Sequence, residues 1–135
     1  TLIQPRFWIP AAASELHGIT NEMVRGAPTW RAIAPTVREL LEAASAVVVY
    51  NAAYDRRLVE QTSQVYQLPT PTPSWGCAME QYARFAGEWD PNRERCCWHS
   101  LGAAAEALGC TPVEPHRARS DAELCRQIVQ VMAGQ

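Results

Sequence analysis

The chain has 135 residues, of which 47% are hydrophobic and 19% charged, so it can bury one core but is too short for two comfortable domains. Its net charge of -2 excludes a basic tract that holds a long nucleic acid by charge alone, so an anionic substrate would need bound cations. Five irregularly spaced cysteines, without a leader or a membrane-spanning apolar run, predict a reduced, cytoplasmic protein. We therefore expect one domain over residues 1–135.

The amino-terminal part predicts a strand end, a structured loop and a helix. The segment TLIQP is typical of the end of an edge strand, and residues 6–29 mix proline, glycine and asparagine without sustained periodicity. Thr29 can begin a helix, and Pro35 either kinks that helix or marks its first turn. The helix has an apolar stripe that favours packing against a core, formed by Trp30, Ile33, Val37, Leu40, Leu41 and Ala44.

The segment VVVYNAAYDRRLV, residues 47–59, predicts a strand, a sharp turn and a helix. AVVVY (46–50) is apolar on both alternating faces, which favours a strand buried between helical layers. Helical spacing begins at Asn51, and Asp55 falls in the first turn. In open α/β sheets, sites gather at the carboxyl ends of strands. Taken alone, the segment is either a capped helix with a solvated first turn or half of a metal site.

The middle of the chain predicts two further helices. Met79, Tyr82 and Phe85 indicate a short helix after a proline-rich loop, and GEWDPNRERCCWH is predicted to be a polar loop. Ser100 is expected to cap LGAAAEALG, which ends at Gly109. The order of strands and helices favours an α/β fold over a helical bundle.

The last segment, PHRARSDAELCRQIVQVMAG, contains the densest chemical signal. Ser120 and Glu123 have capping-box spacing, although a helix that begins one turn earlier fits equally well. His116 and Asp121 can face one site only if the histidine lies in the approach loop, which Pro115 favours. A histidine beside a carboxylate can activate water near a metal. Alone, the pair is better explained by a loop histidine and an aspartate that complements the helix dipole.

Two other residue types were weighed as sites. The segment CCWH, together with Cys77 or Cys110, could form a zinc site. The Cys-x-x-Cys pairs typical of structural zinc are missing, however, so cysteines that lie in the core or in loops are favoured. The five tryptophans could stack on bases. Trp30 and Trp98 lie at apolar helix edges, however, which favours packing.

Taken together, five segments resemble the DEDDh (DnaQ-like) 3′–5′ exonucleases, in order along nearly the whole chain. LHGITNEMV resembles the family's segment at the nucleotide pocket, VVVYNAAYDRRLV its second motif, and HRARSDA its third. SWGCAMEQYAR and WHSLGAAAEALG resemble the stretches between those two motifs. The resemblance implies a ribonuclease H-like mixed sheet flanked by helices.

The resemblance also implies a site and a reaction. Asp121 and Asp55 would hold two Mg²⁺ or Mn²⁺ ions, and His116 would take the proton from the attacking water. The substrate would be the 3′ end of single-stranded DNA or RNA, hydrolysed to nucleoside monophosphates. A polymerase or another replication or repair protein is the implied protein partner. Three residues are implied at the substrate: Asn51, His17 and Ile19.

Two features depart from the family pattern. The position before Asn51 is often histidine and here is Tyr50. The family's first motif, Asp-x-Glu, is absent, so we expect the first strands to lie upstream of Thr1 and this N-terminally truncated chain to be impaired or inactive. The alternative function is a catalytically inactive nucleic-acid-binding or protein-interaction module of the same fold.

Overall fold

The computed structural model describes residues 1–111 and 117–134, which form a mixed α/β structure. Its contacts divide the chain into two compact units, one of Thr1–Ser45 and Arg57–Pro73, the other of Ala46–Arg56 and Ser74–Gln135. The predicted α/β class is confirmed, and the single domain over 1–135 stays a prediction. The elements are α1 (Ala11–His17), α2 (Trp30–Ala43), β1 (Val47–Val49), α3 (Ala52–Val65), β2 (Trp75–Cys77), α4 (Ala78–Ala86), β3 (Trp89–Asp90), β4 (Arg95–Cys96), α5 (Leu101–Ala107) and α6 (Ala118–Ala133).

The first unit begins with a loop that a half-buried amide stabilises. The Asn21 side chain accepts the Ile9 N–H at 2.8 Å and donates to the Ile9 carbonyl at 2.9 Å, so it satisfies both polar groups of that residue. The predicted edge strand at TLIQP is wrong in extent, because Gln4 makes only an isolated parallel bridge to Thr29. One bridge does not extend into a ladder, since Pro5 has no N–H to continue it.

The helix predicted after Thr29 is present as α2. The Thr29 carbonyl accepts the N–H groups of Ala32 and Ile33 at 3.0 and 3.4 Å, which confirms the start of the helix. The Thr29 side chain makes no capping hydrogen bond. Pro35 lies inside the helix, beyond its first turn, so it does not mark the beginning.

The second unit contains the parallel pair β1 and β2, with Val48 opposite Gly76. A Cβ atom at position 76 would lie 3.1 Å from Cγ2 of Val48, so glycine allows the two strands to approach closely. The prediction that AVVVY is buried on both faces is wrong, because Val48 is 50% exposed while its two strand neighbours are half-buried. The β1 side chains alternate in burial, as in a strand with one covered face.

Helices α4, α5 and α6 enclose the core of the second unit, with α6 packed against the other two. Ser100 caps α5 by accepting the Ala103 N–H at 3.2 Å, and Gly109 follows with φ +70°, so both predicted ends are confirmed. The core cluster contains Tyr82, Ala104, Ala105, Leu124 and Ile128.

In the carboxyl-terminal half, the structure decides a helix boundary that the sequence left open and shows that one prediction is wrong. Helix α6 begins at Ala118, the earlier of the two boundaries, and the Glu123 carboxylate accepts from Arg126 Nε at 2.9 Å. The segment predicted as a polar loop contains the antiparallel hairpin β3–β4. Its turn is fixed by Asp90, whose Oδ1 accepts the N–H groups of Asn92 and Arg93 at 2.9 and 3.3 Å.

Among the described residues, no helix has the length and apolarity to cross a bilayer.

The core position of Leu124 predicts a large stability effect. Leu124 is 3% exposed, so Leu124→Ala should lower the free energy of unfolding by about 2–5 kcal/mol through lost burial and a new cavity. The matched control is Leu40→Ala at a 67% exposed position of α2, where the change should stay within about 0.5 kcal/mol. Urea unfolding followed by circular dichroism measures both, and equal losses would contradict the assigned core.

Candidate functional site

Asn51 fixes the turn between β1 and α3. Its carbonyl accepts the N–H groups of Tyr54 and Asp55 at 3.0 and 3.1 Å, and its Oδ1 also accepts the Tyr54 N–H at 3.3 Å. Asn51 therefore caps α3 and orients the first turn, in which Asp55 stands. The predicted order of strand, sharp turn and helix is confirmed. The proposed contact of Asn51 with substrate stays a prediction.

Tyr50, the residue that departs from the family pattern, connects three elements of the second unit. Its carbonyl at the end of β1 accepts the Met79 N–H at 2.9 Å and the Cys77 S–H at 3.4 Å. Its hydroxyl lies 2.9 Å from the His99 carbonyl and 3.0 Å from that of Ser100, so it donates to the chain at the start of α5. The end of β1 is thereby fixed against both α4 and α5.

The titration of Tyr50 follows from its surroundings. Burial raises the pKa of the Tyr50 phenol to about 12, with smaller increases from Tyr82, Cys125 and Cys77. The hydroxyl therefore remains a neutral hydrogen-bond donor over the whole physiological pH range. Its single O–H proton is shared between the carbonyls of His99 and Ser100.

Asp55 is a half-buried carboxylate that faces the α6 side of the second unit. Burial raises the pKa of the Asp55 carboxyl above its ordinary value of 3.8, and a backbone hydrogen bond opposes that change. Burial likewise raises the pKa of the Cys125 thiol to about 11, and the next contribution is the charge of Asp55. Asp55 and Cys125 are therefore close enough to interact electrostatically.

Asp121 stands on the same face of α6 as Cys125, one turn earlier. Its N–H donates to the Arg117 carbonyl at 2.9 Å, which sets it in the first turn, and its side chain is half-buried. Asp55 and Asp121 thus both stand in the first turn of a helix, and both belong to the second unit. The sequence analysis did not identify Cys125 as a neighbour of this site. The i, i+4 spacing of Asp121 and Cys125 could have indicated it, because residues four apart lie on one helix face.

The donor chemistry of these two residues fits a hard divalent cation. Mg²⁺ prefers oxygen ligands and is commonly held by one or two carboxylates, with the remaining positions filled by water and substrate phosphate. Within residues 1–111 and 117–134, no group of three or more His, Cys, Asp or Glu side chains could hold a metal ion. That search includes Cys96, Cys97 and His99 of the zinc alternative. The metal role of Asp55 and Asp121 therefore stays a prediction.

The other sequence-predicted residues lie elsewhere. His17 and Ile19 belong to the first unit, where His17 Nδ1 accepts the Ile19 N–H at 3.0 Å and closes the turn after α1. Both side chains are half-buried. His116, the predicted base, lies outside the described residues. The structure therefore groups Asn51, Asp55 and Asp121 in the second unit.

A solved structure shows which class of protein this fold defines. Exonuclease X in complex with 5′ overhanging duplex DNA matches with a TM-score of 0.72 and 22% identity, covering 100% of this chain and 72% of that one. The fold is thus the ribonuclease H-like α/β fold of exonuclease X. The RNase_T family, described as "Exonuclease", matches residues 1–129. The chain belongs to this exonuclease family, and the resemblance to the DnaQ-like enzymes is confirmed.

Two curated relatives agree with that assignment. The uncharacterised exonuclease CP81 of Escherichia phage 186 is 38% identical over 141 residues, which cover 98% of this chain and 71% of the relative. MT2247 of Mycobacterium tuberculosis (strain CDC 1551 / Oshkosh), provisionally named a bifunctional exonuclease/endonuclease, is 27% identical over 132 residues. That match covers 98% of this chain and 20% of MT2247. The nuclease class therefore rests on sequence relatives as well as on the fold.

The raised pKa of Asp55 predicts a pH-dependent stability effect. A group whose pKa is raised by folding stabilises the fold most below its ordinary pKa, here 3.8, and loses that contribution as the pH rises through the folded value. Asparagine carries no charge, so Asp55→Asn avoids the cost of burying an ionised carboxylate. The variant should therefore be more stable than the wild type at pH 7 in EDTA. The gain should be at most about 1 kcal/mol, because solvent screens a half-exposed group.

Thermal unfolding in EDTA from pH 3 to pH 8 measures this effect. The difference in Tm between Asp55→Asn and the wild type should shrink as the pH falls toward 3.8. A variant that is less stable than the wild type at pH 7, by the same amount at every pH, would show that Asp55 is a stabilising helix-capping charge instead.

Proposed function

We propose that this protein is a metal-dependent exonuclease that hydrolyses phosphodiester bonds from the 3′ end of single-stranded DNA or RNA and releases nucleoside monophosphates. The observation that carries the proposal is the pair of aspartates in the first turns of α3 and α6, both in the second unit, in a chain of the exonuclease family. The complex of exonuclease X with DNA supports a nucleic acid as the ligand.

Each site residue has a defined part in this proposal. Asp55 and Asp121 would hold two Mg²⁺ or Mn²⁺ ions, because ionised carboxylates are the oxygen donors that such cations prefer. The chemistry that bound ions supply is activation of water and stabilisation of the leaving oxygen. His116 accepts a proton from the attacking water, for which an imidazole with a pKa near neutrality is suited.

The remaining residues orient the site. Asn51 holds the first turn of α3 through its carbonyl and Oδ1, so it keeps the Asp55 carboxylate in place. His17 and Ile19 are the substrate-contacting residues of the first unit in the proposal, where the Ile19 N–H donates to His17 Nδ1 and closes the turn after α1.

The proposal is tested with single-stranded oligonucleotides carrying a 5′ label, incubated with Mg²⁺ or Mn²⁺ and the full-length protein that the gene encodes, including any residues before Thr1, because a chain without the Asp-x-Glu motif is expected to be impaired. DNA and RNA versions should each be tried, and the preferred one should shorten in single steps from the 3′ end. Asp121→Asn and Asp55→Asn should each lower the rate by at least about 100-fold, because each removes several kcal/mol of charge stabilisation. His116→Ala should lower it by about 10²- to 10⁴-fold.

Asp90→Asn is the matched control, because Asp90 is the one aspartate of the chain besides Asp55 and Asp121. Its Oδ1 accepts two backbone N–H groups in the β3–β4 turn, and asparagine keeps that acceptor. This variant should retain the wild-type rate. A protein that binds the oligonucleotide and leaves it intact with either metal would instead be the inactive binding module. Internal cuts or shortening from the 5′ end would contradict the stated polarity.

A further inference from the structure

A cavity of about 340 Å³ lies within the second unit, between α4 and the β3–β4 hairpin. Its volume is in the range of small-ligand sites. Two tryptophans border it, Trp89 at 60% exposure and Trp98 at 49%. The expectation that Trp98 is a packing residue holds only in part, because half of its surface meets solvent. Large aromatic side chains left this exposed often mark a binding surface.

The hairpin brings the two tryptophans to one cavity. Trp89 is opposite Cys96, and the pairing continues with the Cys97 N–H donating to the Glu88 carbonyl at 2.7 Å. Trp98 follows one residue later, outside strand β4, and borders the same cavity as Trp89. Two aromatic side chains are therefore available to a ligand in this cavity.

Two arginines border the same cavity. The Arg95 guanidinium carbon lies 3.6 Å from the centre of the Trp98 ring, a cation–π contact that presents a second planar surface. Arg84 reaches the cavity from α4. In the part of the chain that the structure describes, neither guanidinium has a carboxylate within ion-pair distance. Glu80 is the acidic residue of the lining, so the arginines outnumber it.

The chemistry of this lining favours nucleic acid over a peptide. Bases stack on exposed aromatic rings and guanidinium planes, and unpaired arginines attract phosphates. Among the described lining residues there is no leucine, isoleucine, valine or methionine. A groove that binds an amphipathic helix needs such aliphatic walls, because the helix inserts apolar anchors. The remaining side chains at this cavity are small or acidic: Ala83, Cys96 and Glu80.

We propose that α4 and the β3–β4 hairpin form a second nucleic-acid contact, here called the hairpin surface, defined by Arg84, Trp89, Arg95 and Trp98. It holds single-stranded DNA or RNA by stacking bases on the tryptophans while the arginines meet the phosphates. The inference rests on the proposed function for its ligand class. It adds a contact to nucleotides other than the one being released.

The test is the binding of a fluorescein-labelled single-stranded 12-mer, DNA or RNA, followed by anisotropy in EDTA to prevent hydrolysis. Trp89→Ala should weaken binding by about 5- to 150-fold, the loss of one stacked base. Trp89→Phe keeps an aromatic face and should retain most of the affinity. The matched control is Trp8→Ala, at a tryptophan that is 78% exposed in the first unit, and it should bind as the wild type does.

A second readout separates this contact from the reaction. Under hydrolysing conditions, Trp89→Ala should raise KM for the 12-mer and leave kcat unchanged, while kcat/KM for a dinucleotide should not change. Arg84→Gln should weaken binding of the 12-mer and reduce its salt dependence. Circular dichroism should show the same Tm for Trp89→Ala and Trp89→Phe, which separates lost stacking from lost folding.

The outcomes distinguish this inference from the proposed function. Hydrolysis by the wild type with equal 12-mer affinity for Trp89→Ala and wild type would overturn the hairpin surface and leave the exonuclease intact. Weakened binding by Trp89→Ala in a chain that hydrolyses nothing would support the hairpin surface and overturn the exonuclease. A wild-type chain that binds no oligonucleotide in EDTA would also overturn the hairpin surface, leaving it as a candidate protein contact.

Discussion

The arrangement of the second unit depends on the half-buried phenol of Tyr50. Its carbonyl accepts the Met79 N–H, and its hydroxyl donates to the backbone at the start of α5. The next residue, Asn51, caps α3, so the position of the Asp55 turn follows from where Tyr50 is held. A neutral donor with a pKa of about 12 keeps these bonds at every physiological pH. The family's usual histidine would titrate within that range.

The burial and the raised pKa of Asp55 favour a functional role over a purely structural one. An aspartate that only complements a helix dipole does so best when it is exposed, because water stabilises its charge and burial removes that water. Asp55 is half-buried with a raised pKa, and its charge acts on the thiol of Cys125, one turn from Asp121. Such desolvation costs stability in the absence of a cation, and perturbed carboxylates of this kind cluster at functional sites.

Features that depend on neighbouring residues could be predicted from the sequence, and those that depend on tertiary contacts could not. The Asn51 turn, the Ser100 cap and the end at Gly109 follow from local hydrogen bonding and backbone preference. The β3–β4 strands have two residues each, too few for a visible period, so the hairpin was missed. The exposure of Val48 and Trp98 depends on which elements pack over them, and their own spacing does not encode that.

The central claim is that Asp55 and Asp121 share the binding of a divalent cation. It is tested most directly by isothermal titration of Mn²⁺ into the wild type, Asp55→Asn, Asp121→Asn and the double variant. Each single change should weaken binding, and the double variant should lose less free energy of binding than the sum of the two, because either loss already disrupts the shared site. Strictly additive losses, or single variants that bind Mn²⁺ as tightly as the wild type, would contradict the account.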